Sequence, residues 1–214
     1  MPRLPNPLDP LHPLFIKICG LRTEQDVDTA IEAGADAVGF VFAPSPRQVD
    51  ADTAARLARR VPPHVLTVGV FRDQPVADVR ALADATGIRA IQLHGHEGPS
   101  HYTELRQYDE DRTLIRATTY GNPPPTLGEM GEDILLLDAP TPGAGLPWAW
   151  TDPSFQPPKA PWLLAGGLTP TNITAALQAT HPWGADVSSG VESTRGIKDP
   201  ALIRAFIREA RAAG

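Results

Sequence analysis

The chain has 214 residues, with 19 basic and 25 acidic side chains, a formal net charge of −6 and 42% hydrophobic residues. This composition fits one soluble domain with a complete core, and the acidic balance argues against binding to nucleic acid or anionic membranes, which calls for clustered cations. The single cysteine, Cys19, excludes a disulfide within the chain, so we expect a reducing, cytoplasmic environment.

The amino-terminal segment is rich in proline. Residues 1–13 contain five prolines and no apolar run long enough for a signal peptide or a membrane span. We therefore expect a flexible leader over residues 1–13 and a single domain over residues 14–214. Prolines also crowd between Asn122 and Pro161, where the runs at 123–125 and 157–158 forbid a continuous helix.

From Phe15 onward, short apolar runs alternate with amphipathic runs, which is typical of βα units in a parallel sheet. The predicted strands cover residues 15–18, 37–42, 66–70, 90–93, 113–117, 134–137, 162–164 and 185–187. The predicted helices cover residues 23–33, 50–60, 75–86, 99–107, 170–180 and 200–212. Roughly eight strands close a (β/α)₈ barrel, with an open doubly wound sheet as the alternative. The prolines predict reduced helices after the fifth and sixth strands.

Polar residues that directly follow the predicted strands are candidates for the reactive end of such a barrel. They are Cys19, Arg47, Arg72, Asp73, His94 and Asp138, with Arg116 late in the fifth strand, then Gly166-Gly167 and Ser188-Ser189-Gly190 after the last two strands. Small residues in those last loops allow backbone N–H groups to approach an anion, so we expect a phosphate ester as ligand. The alternative is that the glycines only form a tight turn and the serines only contact solvent.

The candidate residues for proton transfer are Lys17, Cys19 and Asp138. Lys17 and Cys19 are two residues apart in a strand and share a face, where the ammonium group would favour a thiolate. Asp138 follows the apolar run at 134–137, and partial desolvation there would raise a carboxyl pKa toward the general-acid range. A basic thiolate and an acidic carboxyl suit proton transfers on one substrate. The alternatives are an inert, packed cysteine and an aspartate that only caps a loop.

Histidines 94, 96 and 101 could be metal ligands, but no further acidic or cysteine ligands stand at a diagnostic spacing, so we predict no metal. No Walker loop or G-x-G-x-x-G motif follows a strand. We therefore expect no nucleotide cofactor.

Several short stretches, taken together and in order, resemble the phosphoribosylanthranilate isomerase family of tryptophan biosynthesis from Ile16 to Arg208. They are Lys17-Ile18-Cys19-Gly20, residues 39–42 with Ser45-Pro46-Arg47, Gly69-Val70-Phe71, Gln92-Leu93-His94-Gly95, Leu136-Leu137-Asp138, residues 164–168, residues 186–192, and Gly196-Ile197-Lys198-Asp199-Pro200. Each stretch alone is modest, but their order is highly specific.

The resemblance implies a (β/α)₈ barrel and a cofactor-free Amadori rearrangement of N-(5-phosphoribosyl)anthranilate to 1-(2-carboxyphenylamino)-1-deoxyribulose 5-phosphate. It makes Asp138 the general acid that opens the furanose ring and Cys19 the general base that removes the C2 proton. Arg47 corresponds to the family arginine at the anthranilate end. The remaining implied contacts are Lys17, His94 and Asp186 to substrate, and Gly166, Gly167, Ser188, Ser189 and Gly190 to its phosphate.

Two stretches after the sixth strand depart from the family pattern. Pro142-Gly143-Ala144-Gly145 stands where Gly-Gly-Thr-Gly is usual, and Trp148-Ala149-Trp150 stands where Phe-Asp-Trp is usual. These departures predict an effect on loop mobility and turnover rate more than on the reaction itself, since both proton-transfer residues remain.

Two other functions stay open at this point. One is another sugar-phosphate barrel isomerase, such as the histidine-pathway enzyme, which would be expected to carry an aspartate where Cys19 stands. The other is a non-catalytic barrel that binds a phosphorylated sugar. The expected partner is a small phosphorylated substrate, with no nucleic acid and no membrane, and the expected state is a monomer or a homodimer.

Overall fold

The computed structural model of the chain describes residues 14–121, 123–139 and 155–213. Eight parallel strands form a closed barrel in which each strand pairs with the next and the last pairs with the first. They are β1 (Phe15–Cys19), β2 (Ala37–Val41), β3 (Leu66–Phe71), β4 (Ala90–Leu93), β5 (Thr113–Thr119), β6 (Ile134–Asp138), β7 (Trp162–Leu164) and β8 (Gly184–Val187). The predicted barrel is confirmed, and the alternative of an open sheet is wrong.

Helices connect most of the strands, and a small hairpin follows the barrel. The helices are α1 (Glu24–Glu32), α2 (Ala51–Ala58), α3 (Val76–Thr86), α4 (Pro99–Tyr108), α5 (Ile173–Thr180) and α6 (Pro200–Ala213). After β8, a single 3₁₀ turn (Ser189–Val191) leads into the antiparallel strands β9 (Glu192–Thr194) and β10 (Ile197–Lys198). The sequence pattern did not predict this hairpin.

Capping interactions explain where several helices begin and end. The Thr23 hydroxyl accepts a hydrogen bond from the N–H of Asp26 at 3.1 Å, and the Asp50 carboxylate accepts one from the N–H of Thr53 at 2.7 Å. These bonds satisfy amides that have no partner inside the helix. At the other end of α3, Gly87 adopts φ +68°, a left-handed conformation that glycine allows at little cost.

Helix α5 begins later than predicted, at Ile173 rather than Pro170. The carbonyl of Thr169 accepts hydrogen bonds from the N–H groups of Asn172 and Ile173. The Asn172 side chain in turn accepts a hydrogen bond from the N–H of Thr169 at 2.7 Å. The intervening residues are therefore held in a turn, and the helix follows that turn.

Alternate residues of each strand face the barrel interior or the surrounding helices. Outward residues such as Ile16, Ile18 and Phe40 belong to the core between the strands and the helices. The inward set is apolar over much of the barrel, with Phe15, Ala37, Val68, Ala90, Ile115, Leu136 and Leu163. Toward the carboxyl ends of the strands it becomes polar, and the buried residues there are Lys17, Gln92, Asp138 and Asp186.

Strand pairing and hydrogen bonds connect the start of the barrel at β1 to its last elements, β8 and α6. The strand β8 runs in register beside β1, and Arg211 of α6 donates hydrogen bonds to the carbonyl of Leu14 and, at 2.7 Å, to the carboxylate of Asp36. The same Asp36 oxygen accepts the N–H of Ile16 at 2.7 Å. One carboxylate thus joins the start of β1 to the end of α6.

Some predictions fall outside the described residues. The leader at 1–13 and the unusual stretches at 142–145 and 148–150 are among them. Residues 120, 121 and 123–133, between β5 and β6, form turns and irregular backbone. Because Asn122 and residues 140–154 are not described, the reduced helices after β5 and β6 stay a prediction. Within the described ranges, no helix is both long and apolar enough to cross a membrane.

Candidate active site

The carboxyl ends of β6, β7 and β8 enclose a small cleft at the mouth of the barrel. Its lining consists of Asp138 and Ala139, residues 165–168 and residues 186–189. Four of the five predicted phosphate-binding residues therefore share one cleft with Asp138 and Asp186. A larger cavity, lined by residues 124–127 and 156–160, contains none of the predicted site residues.

The glycines of the two loops predicted to bind phosphate permit unusually close backbone approach. Gly166 and Gly167 adopt φ +85° and +67°, and a Cβ on Gly166 would lie 2.8 Å from Asp138 Oδ1. A Cβ on Gly190 would lie only 1.7 Å from the carbonyl oxygen of Leu168. The loops after β7 and β8 therefore pack backbone against backbone, which only residues without a side chain allow here.

Strand β1 presents Lys17 and Cys19 on its inward face, as predicted. The Lys17 ammonium is fully buried and lies 2.9 Å from Asp186 Oδ1. Cys19 is 6% exposed and stands opposite Gly39 of β2 in the sheet register. A Cβ at Gly39 would lie 2.9 Å from the Cys19 sulfur, so the glycine makes room for the thiol.

The protonation of Cys19 is set by opposing influences. Burial raises the pKa of the thiol, and the Asp186 carboxylate raises it further, while the Lys17 and Lys198 ammonium groups act to lower it. The effect of Lys17 has the predicted sign, but burial outweighs it, so the pKa of the thiol is raised and the thiol form is favoured. For Lys17, burial lowers the pKa, but Asp186 and Cys19 outweigh burial, so the pKa is raised and the amine stays charged.

Asp138 is held at the end of β6 beside His94. Its Oδ1 accepts a hydrogen bond from the N–H of Ala139 at 2.7 Å, and its Oδ2 lies 3.3 Å from His94 Nε2, without the alignment of a hydrogen bond. The other ring nitrogen, Nδ1, lies 3.2 Å from Gln92 Nε2. Gln92 is a buried polar residue that was not among the predicted site residues, although its position two residues before His94 puts both on one face.

Arg47 reaches the site from the loop after β2 and is bound by Glu192. Its Nε and Nη2 lie 2.6 and 3.0 Å from the two Glu192 oxygens, and Lys198 Nζ lies 2.8 Å from Oε1 of the same carboxylate. Burial acts to raise the pKa of Glu192, but Arg47 and Lys198 outweigh it and hold it at about 2. The same lysine binds the carbonyl of Ser188, whose hydroxyl donates to the carbonyl of Cys19. Glu192 and Lys198 were not assigned a role from sequence, although charged residues in a segment directly after the last strand were a usable signal.

Two of the arginines proposed for the mouth, Arg72 and Arg116, form ion pairs with residues that do not line the cleft. Arg116 alternates with the inward residues of β5 and therefore points outward, where its Nη1 lies 2.9 Å from Glu129 and 3.4 Å from Glu132. Arg72 has a 65% exposed side chain and lies only 3.9 Å from its neighbour Asp73. The inclusion of Arg116 in the candidate set was wrong, because it lies inside β5 between two inward residues, Ile115 and Ala117. Arg72 directly follows β3, and its role stays a prediction.

Only one of the three candidate metal-binding histidines, His94, lies beside a predicted site residue. His96 is exposed, and its ring lies 3.3 Å from Asp73. His101 lies in α4. Over the described ranges, no group of three histidine, cysteine or acidic side chains is placed to hold a metal ion.

Comparison with known proteins places the barrel in a family. The sequence model for "N-(5'phosphoribosyl)anthranilate (PRA) isomerase" matches residues 16–209. A relative from Desulforudis audaxviator, named N-(5'-phosphoribosyl)anthranilate isomerase, is 43% identical over 207 residues, covering 93% of this chain and 98% of the relative.

Solved structures agree with that match. The crystal structure of TrpF from Jonesia denitrificans superposes with a TM-score of 0.84 at 42% identity, covering 94% of this chain and 98% of that one. A phosphoribosyl anthranilate isomerase in complex with reduced 1-(o-carboxyphenylamino)-1-deoxyribulose 5-phosphate superposes with a TM-score of 0.75 at 32% identity, covering 93% and 99%. The chain therefore belongs to the N-(5'-phosphoribosyl)anthranilate isomerase family.

Proposed function

We propose that Cys19 and Asp138 are the base and the acid with which this chain isomerises N-(5-phosphoribosyl)anthranilate in tryptophan biosynthesis. The observation that carries the assignment is the position of Asp186. This residue pairs with Lys17 at 2.9 Å, next to Cys19 on the inward face of β1, and it also lines the cleft that contains Asp138. The thiol and the carboxyl group are thus the proton-transfer groups at one barrel mouth.

The two ends of the substrate have different partners. The phosphate binds the amides of Gly166, Gly167, Ser189 and Gly190, with Ser188 completing the loop that also contacts Cys19. The anthranilate carboxylate binds the guanidinium of Arg47, because a planar arginine suits a carboxylate. The sugar then spans the distance between these anchors, where Asp186 accepts a hydrogen bond from a hydroxyl.

The acid step opens the sugar ring. The Asp138 carboxyl donates its proton to the furanose ring oxygen, the bond between that oxygen and C1 breaks, and the anthranilate nitrogen supplies an electron pair to form an iminium ion at C1. His94 lies 3.3 Å from Asp138 Oδ2 and limits the orientations of the carboxyl group. The step leaves a carboxylate on Asp138 and a positive charge on the substrate.

The base step follows at C2. The Cys19 thiol first releases its S–H proton to solvent water. The resulting thiolate takes the C2 proton, and the electrons of the C–H bond form the C1–C2 double bond of an enolamine while neutralising the iminium charge. Proton transfer from the C2 hydroxyl to C1 then yields the ketone. The new iminium charge favours the thiolate electrostatically and therefore offsets the effect of burial on the thiol. Lys17 contributes in the same direction and stays charged through its pair with Asp186.

We further propose a cytoplasmic enzyme that acts without a cofactor as a monomer or a homodimer. A reducing compartment suits a mechanism that needs its one cysteine as a free thiol. The single-cysteine sequence and the acidic overall charge support this placement.

The test is turnover of the substrate generated in situ, followed by anthranilate fluorescence. We expect C19A and D138N each to lower kcat by about 10² or more. D111N, a matched loss of an exposed carboxylate, should leave kcat unchanged. No acceleration by the wild-type protein would overturn the function, and near-normal rates in C19A or D138N would overturn that residue's assignment.

A further inference from the structure

A buried carboxylate, Glu192, organises the anthranilate side of the mouth. Its side chain is 4% exposed, and its oxygens accept from Arg47 Nε at 2.6 Å and Nη2 at 3.0 Å, from Lys198 Nζ at 2.8 Å and from the N–H of Gly196 at 2.9 Å. Four donors on two oxygens fill the capacity of this carboxylate. Glu192 therefore has no capacity left for substrate and acts on its neighbours.

The group carries an excess positive charge. Arg47 and Lys198 are two cations that share one carboxylate. Among the described residues, the other hydrogen-bond partners of Lys198 are the neutral carbonyl and hydroxyl of Ser188, at 2.8 and 3.2 Å. A net charge of about +1 in a mostly desolvated site favours a further anion. The substrate offers one in its anthranilate carboxylate.

Glu192 binds only one edge of the Arg47 guanidinium, the edge formed by Nε and Nη2. Nε and Nη2 are both engaged, while Nη1 has no hydrogen-bond partner among the described residues. A bidentate pair fixes the plane of a guanidinium as well as its position. The Arg47 stem is also confined, because a Cβ at Gly20 would lie 2.7 Å from its Cδ.

The hairpin that carries Glu192 is anchored to the Arg47 loop by contacts that do not involve the carboxylate. Arg22 Nη1 donates to the carbonyls of Pro46 and Gly196, at 2.9 and 3.3 Å. Gly196 adopts φ +85°, and a Cβ there would lie 2.8 Å from the Pro46 carbonyl oxygen. The two loops should therefore stay together when the Glu192 charge is removed.

We propose that Glu192 is a positioning residue that sets substrate specificity: it holds Arg47 by the Nε and Nη2 edge so that Nη1 binds the carboxylate of the anthranilate ring. The inference rests on the proposed function and extends it to a residue that does not touch substrate. Glu192 acts through Arg47, so its contribution depends both on that arginine and on the substrate carboxylate.

The first test is a double-mutant cycle on kcat/KM for N-(5-phosphoribosyl)anthranilate. We expect E192Q to lower kcat/KM by about 10- to 100-fold, mainly through KM, because a charge-assisted contact is misaligned. In the R47A background the same substitution should cost less than about 2-fold. Additive losses in the double variant would overturn the proposal. S193A, on the same hairpin with an exposed side chain, serves as the control.

The second test removes the carboxylate from the substrate. N-(5-phosphoribosyl)aniline, formed from ribose 5-phosphate and aniline, should be turned over equally by the wild type and E192Q, with product measured by chromatography. An equal loss on both substrates would show a merely structural role and overturn the proposal.

A second variant, E192D, keeps the proposal testable if E192Q is unstable. If E192Q does not fold, E192D keeps the charge while shortening the side chain, and it should show a smaller loss that is again confined to the carboxylate-bearing substrate. An unselective loss in E192D would refute the positioning role. Failure of the proposed function is distinguishable, because the wild type would then turn over neither substrate.

Discussion

Replacing Gly190 by alanine tests whether the contact between the loops after β7 and β8 shapes the proposed phosphate site. The new Cβ would lie 1.7 Å from the Leu168 carbonyl oxygen, whereas such carbon–oxygen contacts are normally about 3.3 Å or longer. The backbones must therefore separate by about 1.6 Å, and no side-chain rotation can relieve the clash. Because displacements of about 1 Å at a binding site can cost about 100-fold, we expect kcat/KM to fall by at least that factor.

Overpacking a backbone contact should also cost about 3 kcal/mol, which corresponds to a fall in Tm of about 6 to 12 °C for a domain of this size. The assay is fluorescence turnover together with thermal unfolding. Gly98→Ala is the matched control, because Gly98 has no atom within 4 Å of its added Cβ and an ordinary φ of −89°. If Gly190→Ala keeps a wild-type KM and Tm, the close approach of the two loops does not define the anion site.

Three further predictions concern the thiol and the buried carboxylate. Gly39→Ala places a Cβ 2.9 Å from the Cys19 sulfur. We therefore expect kcat to fall by about 10² and Tm to fall by a few degrees. Unchanged turnover would show that the thiol does not require the space beside Gly39. Lys17→Met removes a cation that lowers the pKa of Cys19, so the pH at which kcat/KM rises should move to a higher value. A shift to lower pH would contradict the assignment of Cys19 as the base. The pKa of Glu192 is depressed to about 2, so its stabilisation is present above about pH 4.5 and lost as pH falls toward 2. After allowance for solvent screening this amounts to about 2 kcal/mol, and acid unfolding of E192Q should lack that dependence.

The sequence predicted the eight strands and much of the mouth because both follow from local periodicity, whereas closure into a barrel was inferred from the number of strands, with an open sheet as the alternative. Strand residues two apart share a face, so the spacing of Lys17 and Cys19 was enough to put their side chains together. The chain order of the strands then placed Asp138 and the glycine loops at the same end of the barrel. The match in order of many short stretches supplied the family.

Other features depend on contacts between segments that are distant in sequence, and periodicity carries no information about these. Arg116 lies in β5 between two inward residues, Ile115 and Ala117, and therefore points outward. The sequence alone did not show which of the two alternating faces of this strand points into the barrel. Glu192 meets Arg47 only because a short hairpin turns back over the loop after β2. The direction of the Cys19 pKa shift depends on how deeply the thiol is buried, which the sequence does not show. The start of α5 depends on a turn that the Asn172 side chain stabilises.

The closure of the barrel by pairing β1 with β8 has a consequence for biosynthesis on the ribosome. Until residues 184–187 have left the exit tunnel, β1 exposes an unpaired edge that carries Cys19. Lys17 also lacks its counter-ion until Asp186 arrives, so a nascent chain cannot yet hold this buried amine in its final environment. We therefore expect that the thiol of arrested nascent chains shorter than about 184 residues reacts readily with alkylating reagents, and that protection appears only once β8 and α6 can dock.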